Sequence, residues 1–279
     1  MRRLRAWLVI LGVLLLAGLT LGGTVVYYTV QREPLPWASS CTARVGADSV
    51  RLEPAQFRNA AIIAGVAARR GLPPQAVTIG LATALQESGL RNLDYGDRDS
   101  LGLFQQRPSQ GWGTEAQIMD PHYAANAFFA AMVKEVENWQ TMHVGDVAQA
   151  VQRSGFPDAY DKHIPAAETL AGALTGTAPA ALTCAIADLR AGDAAGLASA
   201  LGKTLPTTSA VKRTGATVTV AAPNPVAAWS AAAIAVAHAQ AYGVRAVSVD
   251  GRTWRNAWPL PGGWDAGGAA GTTVTISLG

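Results

Sequence analysis

Cysteine and histidine are scarce in this chain. Its 279 residues include two cysteines and four histidines, and none of them falls at a zinc-like spacing, which argues against a dedicated metal centre. Charge is sparse as well. Only 15% of residues are charged, and Arg2, Arg3 and Arg5 account for the whole net charge of +3. The remainder is neutral and lacks the clustered basic face that nucleic-acid binding needs. An apolar fraction of 49% excludes global disorder, because such a chain has ample surface to bury. Only one long apolar run is present, so a multi-span transporter is excluded too. At about 150 residues per domain the length allows one or two domains.

That one run sets the expected compartment. Trp7 to Tyr28 is almost wholly apolar and follows the three arginines. As a helix rising about 1.5 Å per residue it is about 33 Å long, enough for a hydrocarbon core of about 30 Å. Trp7, Tyr27 and Tyr28 stand at its ends, where aromatic belts sit, and the leading arginines keep the N-terminus cytoplasmic. A cleaved signal peptide is the rival reading. It has a shorter apolar stretch and a small-x-small cleavage site, for which no convincing AxA follows Leu21. The expectation is a single-pass membrane protein whose remaining parts lie outside the cell.

The pattern beyond the run predicts an α+β protein. Residues 1–30 read as the cytoplasmic N-terminus and transmembrane anchor, and 31–52 as a stalk. Residues 53–184 read as a mainly helical domain, 185–213 as a linker with a short helix near Ala185–Leu201, and 214–279 as a small α/β domain of unknown role. Pro54 opens a helix with an apolar stripe at Phe57, Ala61, Ala64 and Ala68, and Gly71 stops it. Pro73 and Pro74 open a second, which Gly89 ends. Residues 90–115 form a long loop, a feature that is usually functional inside a compact domain. Asp120 and Pro121 begin a third helix, with Phe128, Met132, Val136 and Trp139 on one face, and a fourth runs from Asp146 to Arg153. Pro165 breaks the segment that follows. The C-terminal part reads as a β-α-β-β layer without a nucleophile–base pair or a phosphate loop, so no cofactor is expected. Its Trp254, Trp258 and Trp264 form either a binding face or core and rim. Cys41 and Cys184, the only cysteines, flank the helical domain on the exported side and are expected to form a disulfide. In chain-entropy terms such a bridge is worth about 4–5 kcal/mol before any strain.

The chemistry-bearing stretch is LQESGLRNLDYGDRDSLGLFQQRPSQGWGT, Leu85 to Thr114. Glu87 lies in the last turn of the second helix, with the small residues Gly80, Thr83 and Ala84 on its own face. There the helix dipole disfavours a negative charge, which suits a general acid that must keep its proton. The bland alternative is a surface glutamate at a helix end. ALQESGL followed by SLGLFQQRP resembles the soluble lytic transglycosylase and lysozyme-like families of peptidoglycan-cleaving enzymes, in particular their membrane-anchored actinobacterial members. The resemblance covers roughly Gln56 to Leu174. It implies a lysozyme-like fold that binds peptidoglycan glycan strands. In it Glu87 protonates the glycosidic oxygen between N-acetylmuramic acid and N-acetylglucosamine, Ser88 stays beside it, and Gln105 faces the sugar cleft. Trp112 is either a stacking platform for a sugar ring or a loop anchor packed on the core.

The chain departs from the family where a tyrosine should hold the catalytic glutamate. The AYNAG segment aligns with AQAVQRSG, which puts Gln152 at the tyrosine position and Arg153 at the asparagine. Gln152 could bond Glu87, and Tyr160, eight residues on, could replace the ring. Asp94, Asp97 and Asp99 are the candidate second carboxylates that glycoside hydrolysis requires. Ion pairing of Asp97 and Asp99 with Arg98 is the simpler role for these two, and one clear acid favours transglycosylation over hydrolysis. The rivals are a non-catalytic peptidoglycan-binding or scaffold protein of the same fold, and an interaction protein that works through its C-terminal unit. The protein partner of that unit cannot be read from the sequence.

Overall fold

A computed structural model of the chain describes residues 37–279 together with 22, 26, 34 and 35. The apolar run read as an anchor therefore lies, apart from residues 22 and 26, outside the described residues. Among the described residues no helix is long and apolar enough to cross a membrane. Residues 39–279 form one compact unit of mixed α+β architecture, with nine helices and two sheets among the described residues.

The unit opens with a hairpin, β1 (Ser40–Val45) and β2 (Asp48–Leu52). Strand β3 (Leu182–Ala185) adds to its other side in the order β2-β1-β3. The stalk expected over 31–52 is thus structured from Ser40 onward. Its composition is not apolar, and its pairing partner lies some 140 residues away, beyond the reach of local pattern. In this sheet Cys41 stands directly opposite Cys184, and the two form a disulfide.

Helices α1 (Pro54–Arg69), α2 (Pro74–Ser88), α3 (Glu115–Ile118), α4 (Pro121–Glu135), α5 (Val144–Gln152) and α6 (Ile164–Leu174) follow. Glu53 and Gln56 close a capping box at the start of α1, and Asp120 caps α4 through the His122 amide. Val136 and Trp139 are buried but lie beyond the end of α4. Pro165 does not break a helix but occupies the first turn of α6, where its missing N–H costs nothing. Helix α2 packs against α1, α4, α5 and α6, so it is the central helix of the bundle. Phe104, Phe128 and Phe129 form the aromatic heart, with Phe104 stacked on Phe128 at 4.6 Å.

The short helix expected near Ala185–Leu201 in the segment 185–213 is α7 (Ala194–Thr204), which starts later than expected, and the segment also holds most of β4 (Ala210–Thr214). The C-terminal layer is larger than β-α-β-β. Besides β4 and β5 (Thr217–Ala221) it holds β6 (Val244–Val249), β7 (Arg252–Arg255), β8 (Trp264–Ala266) and β9 (Thr273–Leu278), all antiparallel, in the order β4-β5-β9-β6-β7-β8. Short, polar edge strands such as β4, exposed at four of five positions, carry too little apolar alternation to be read locally. Helix α8 (Pro225–Ala237) is apolar on every face and is followed by the short α9 (Ala239–Tyr242). An all-round apolar helix must be covered on all sides. Accordingly α8 lies against α1 and α6 as well as β3, β5, β6 and β9, and the bundle and the sheet share one core. Trp254 and Trp264 belong to that core, whereas Trp258 is exposed.

Candidate active site

The end of α2 carries Glu87, and its position is fixed by polar side chains buried in α1. Gln56 Nε2 donates to the Gly89 carbonyl at 2.7 Å, and Asn59 Nδ2 to the Leu90 carbonyl at 2.8 Å. Gly89 and Leu90 both have positive φ, which reverses the chain and drops Leu90 into the core. Helix-end carbonyls without partners are costly when buried. Gln56 and Asn59 satisfy the carbonyls of the two residues that follow α2 and tie the turn after Glu87 to α1. Their spacing of three on an otherwise apolar helix face was the signal available in the sequence.

Ser88 is buried. Its Oγ lies 3.1 Å from the Ala84 carbonyl and donates to the Leu103 carbonyl at 2.8 Å. This draws the segment Leu103–Gln105 against the helix end. Gln152, from the last turn of α5, donates to the next carbonyl, that of Phe104, at 2.8 Å. Gln152 therefore holds the loop and not Glu87. Gln105 adopts φ +47°, a conformation that a non-glycine residue takes only when its surroundings impose it. Its amide nitrogen lies 3.3 Å from the carbonyls of Tyr95 and Gly102. Residue 96 must be glycine for this arrangement, since a Cβ there would collide with the Gln105 side chain and come within 2.6 Å of the Ser100 carbonyl.

Glu87 is half-buried. The Tyr160 hydroxyl donates to its Oε1 at 2.7 Å. Tyr160 sits in the 3-10 turn Pro157–His163 between α5 and α6 and is fully buried. Burial first, then the hydrogen bond to Glu87 and the carboxylate charge, push the phenol well above its ordinary range. It therefore remains a hydrogen-bond donor at any pH the protein meets. Glu87 Oε2 has no protein hydrogen-bond partner among the described residues. Beside this pair, His163 Nε2 lies 3.1 Å from Gln86 Oε1, a second link between the 3-10 turn and α2.

Gln105 and Gln152 line an open cleft of about 570 Å³, together with Trp112, Tyr123, the small face Ala127, Ala130 and Ala131 of α4, and the ion pair Glu135–Arg153 at 3.0 Å. Trp112 packs against the core, as the loop-anchor reading has it, and also lines the cleft. Tyr123 and the Glu135–Arg153 pair were not foreseen, because the sequence does not show that the outer face of α4 walls a cleft.

The aspartates are placed apart from this arrangement in chemical character. Asp99 accepts from the Ser109 amide at 2.8 Å and from Arg107 Nε at 2.7 Å. Ser109, through its side chain and backbone, and then Arg107 hold the Asp99 carboxyl far below the usual carboxylate range. Its partner is thus Arg107 and not Arg98, and it braces the loop as a permanent anion. Asp97, 91% exposed, only approaches Arg98, at 3.9 Å. Asp94 is exposed. Comparison of the chain with known protein families gives no match, and comparison with curated proteins gives no significant one.

Proposed function

We propose that the chain is a membrane-anchored, extracytoplasmic enzyme that cleaves peptidoglycan at the β-1,4 bond between N-acetylmuramic acid and N-acetylglucosamine. Glu87 is its general acid and then its general base. The observation that carries this reading is the Tyr160–Glu87 hydrogen bond. A buried phenol fixes one carboxylate oxygen and the other has no protein hydrogen-bond partner among the described residues, which suits a proton donor to a bound glycosidic oxygen. The tyrosine that the family resemblance asks for at position 152 is supplied in this chain from position 160.

A one-carboxylate mechanism fits the surroundings better than hydrolysis. Asp99 is committed to Ser109 and Arg107, and Glu135 in the cleft to Arg153. Asp99 is thus not free to activate water on the far face of the sugar or to form a glycosyl-enzyme bond, and Asp94 and Asp97 are exposed. Glu87 protonates the leaving oxygen, and the muramyl 6-hydroxyl, deprotonated by the same Glu87, closes a 1,6-anhydro ring. The products are then lighter by one water than hydrolytic ones.

The test is cleavage of purified sacculi by the full-length protein and its Glu87→Gln variant, with mass analysis of released fragments. Loss of a general acid costs about 10²–10⁴-fold in rate. Equal cleavage by both would reject Glu87. Failure of both, with sacculus binding kept, would favour the peptidoglycan-binding reading, for which Gln152 in place of tyrosine is the supporting observation.

A further inference from the structure

The first residue of the compact unit, Ser39, is held beside β3. Its Oγ donates to Asp188 Oδ1 at 2.8 Å and accepts the Ala187 amide at 3.0 Å. The adjoining Ser40 pairs with Ala185. The same short stretch of chain holds both ends of the β7–β8 loop. Asn256 takes the amide and the carbonyl of Ile186 at 3.0 and 2.9 Å. At the other end Thr183 bonds the Gly262 carbonyl, and the Trp264 indole donates to the Leu182 carbonyl at 2.8 Å. The loop between these ties is therefore a fixed arch next to the point where the chain enters the unit.

The arch, Ala257-Trp258-Pro259-Leu260-Pro261, is exposed at every residue and wholly apolar, with Trp258 48% and Leu260 77% exposed. No charge occurs between Arg255 and Asp265, and Arg252 and Arg255 are exposed on the strand leading into it. Such a projection is unfavourable in water unless something covers it. Residues 29–38, which separate the apolar run from Ser39, reach at most about 35 Å fully extended. The arch is thus confined near whatever holds the run. Tryptophan and leucine flanked by arginine are the chemistry of a bilayer interface, with the indole at headgroup depth and guanidinium groups on lipid phosphates.

We infer that Ala257–Pro261 is a lipid-contact loop that seats the extracytoplasmic unit on the outer leaflet. The inference rests on the reading of residues 7–28 as a membrane span. Two apolar side chains bind a bilayer weakly by themselves. Tethering raises their effective concentration to about millimolar, so a weak insertion becomes the resting state.

The experiment uses the full-length protein in vesicles of phosphatidylcholine and phosphatidylglycerol, with one environment-sensitive fluorophore on an introduced thiol. Both native cysteines are bridged and do not react. Three single variants are compared: Leu260→Cys at the arch, Lys212→Cys on β4 at the opposite edge of the sheet, and Leu15→Cys in the apolar run. The vesicles should blue-shift the probe at 260, and nitroxide lipids labelled near the headgroup should quench it at least about twofold more than the probe at 212. Lipids labelled deep in the chains should quench the probe at 15. Quenching at 15 with a water-like, unquenched probe at 260 overturns the inference and keeps the span. A blue shift at 260 without lipid quenching means burial against protein and also overturns it. No quenching at 15 removes the span, and the inference with it.

Discussion

Replacing Tyr160 by phenylalanine removes one hydroxyl from beneath Glu87 and leaves the buried ring in place. The lost interaction is a 2.7 Å hydrogen bond from a fully buried donor to a carboxylate. Bonds to charged acceptors are worth about 1.5–3 kcal/mol. Glu87 is only half-buried, so water takes over part of the lost role and the lower figure applies. About 1.5 kcal/mol in the transition state is about a tenfold loss of rate, well short of the loss expected for Glu87→Gln. The packing is unchanged, so the loss of folding stability should not exceed that of the bond itself, about 1.5 kcal/mol. The assay is the initial rate of fragment release from purified sacculi, with the unfolding temperature measured on the same samples. A Tyr160→Phe protein with the parent's stability and the parent's rate would show that the phenol does not position the acid. The observation that carries the proposed function would then be lost.

Further outcomes follow from other contacts. Gly96→Ala should displace Gln105 and lower activity with little effect on global unfolding, which crystallography of the variant and a rate measurement check. Cys41→Ala with Cys184→Ala releases a loop of 143 residues. The chain-entropy bound is about 5 kcal/mol, and denaturant unfolding should show a loss of at least about 2 kcal/mol. His238 is fully buried and donates from Nδ1 to the Ile234 carbonyl. Burial first, with Arg58 and His122 adding to it, pushes its pKa down to about 4. The unfolded state, with an ordinary value near 6.5, therefore binds the proton more readily. Stability is complete above pH 6.5 and falls toward pH 4 by about 3 kcal/mol. His238→Gln should flatten that slope in urea titrations at pH 7 and pH 4.5, and an unchanged slope would assign it to other groups.

The helical half of the fold is legible because its signals are local. Pro54, Gly71, Pro74, Gly89 and Asp120–Pro121 mark helix ends within a few residues, and apolar periodicity supplies the faces between them. The sheets are less legible because their information is non-local. Around Ser40–Leu52 only Cys41, through its expected bridge to Cys184, points to Leu182–Ala185, and β4 and β8 are short edges without apolar alternation. The same division holds at the site. Glu87, Ser88 and Gln105 could be picked out by motif. Tyr160 was reachable only as a substitute for a missing ring, since its contact with Glu87 depends on how a 3-10 turn folds back on α2. Gln152 illustrates the limit: sequence position suggested Glu87 as its partner, but the α5 helix end points its amide at the Phe104 carbonyl. Asp99 was likewise assigned to its neighbour Arg98, whereas the fold of the loop brings Arg107, eight residues on, against it.

The order β4-β5-β9-β6-β7-β8 places the last-made strand in the middle of the sheet. While the chain emerges from its N-terminus, β4-β5 and β6-β7-β8 have no hydrogen-bonded connection until Thr273–Leu278 arrives to join them. Helix α8 must wait as well, since part of its cover is β9. Until then the emerging chain carries an apolar helix and two open strand edges, a period in which edge pairing between chains competes with completion. Loss of only Thr273–Leu278 would divide the layer into two ribbons and uncover part of the core shared with α1 and α6.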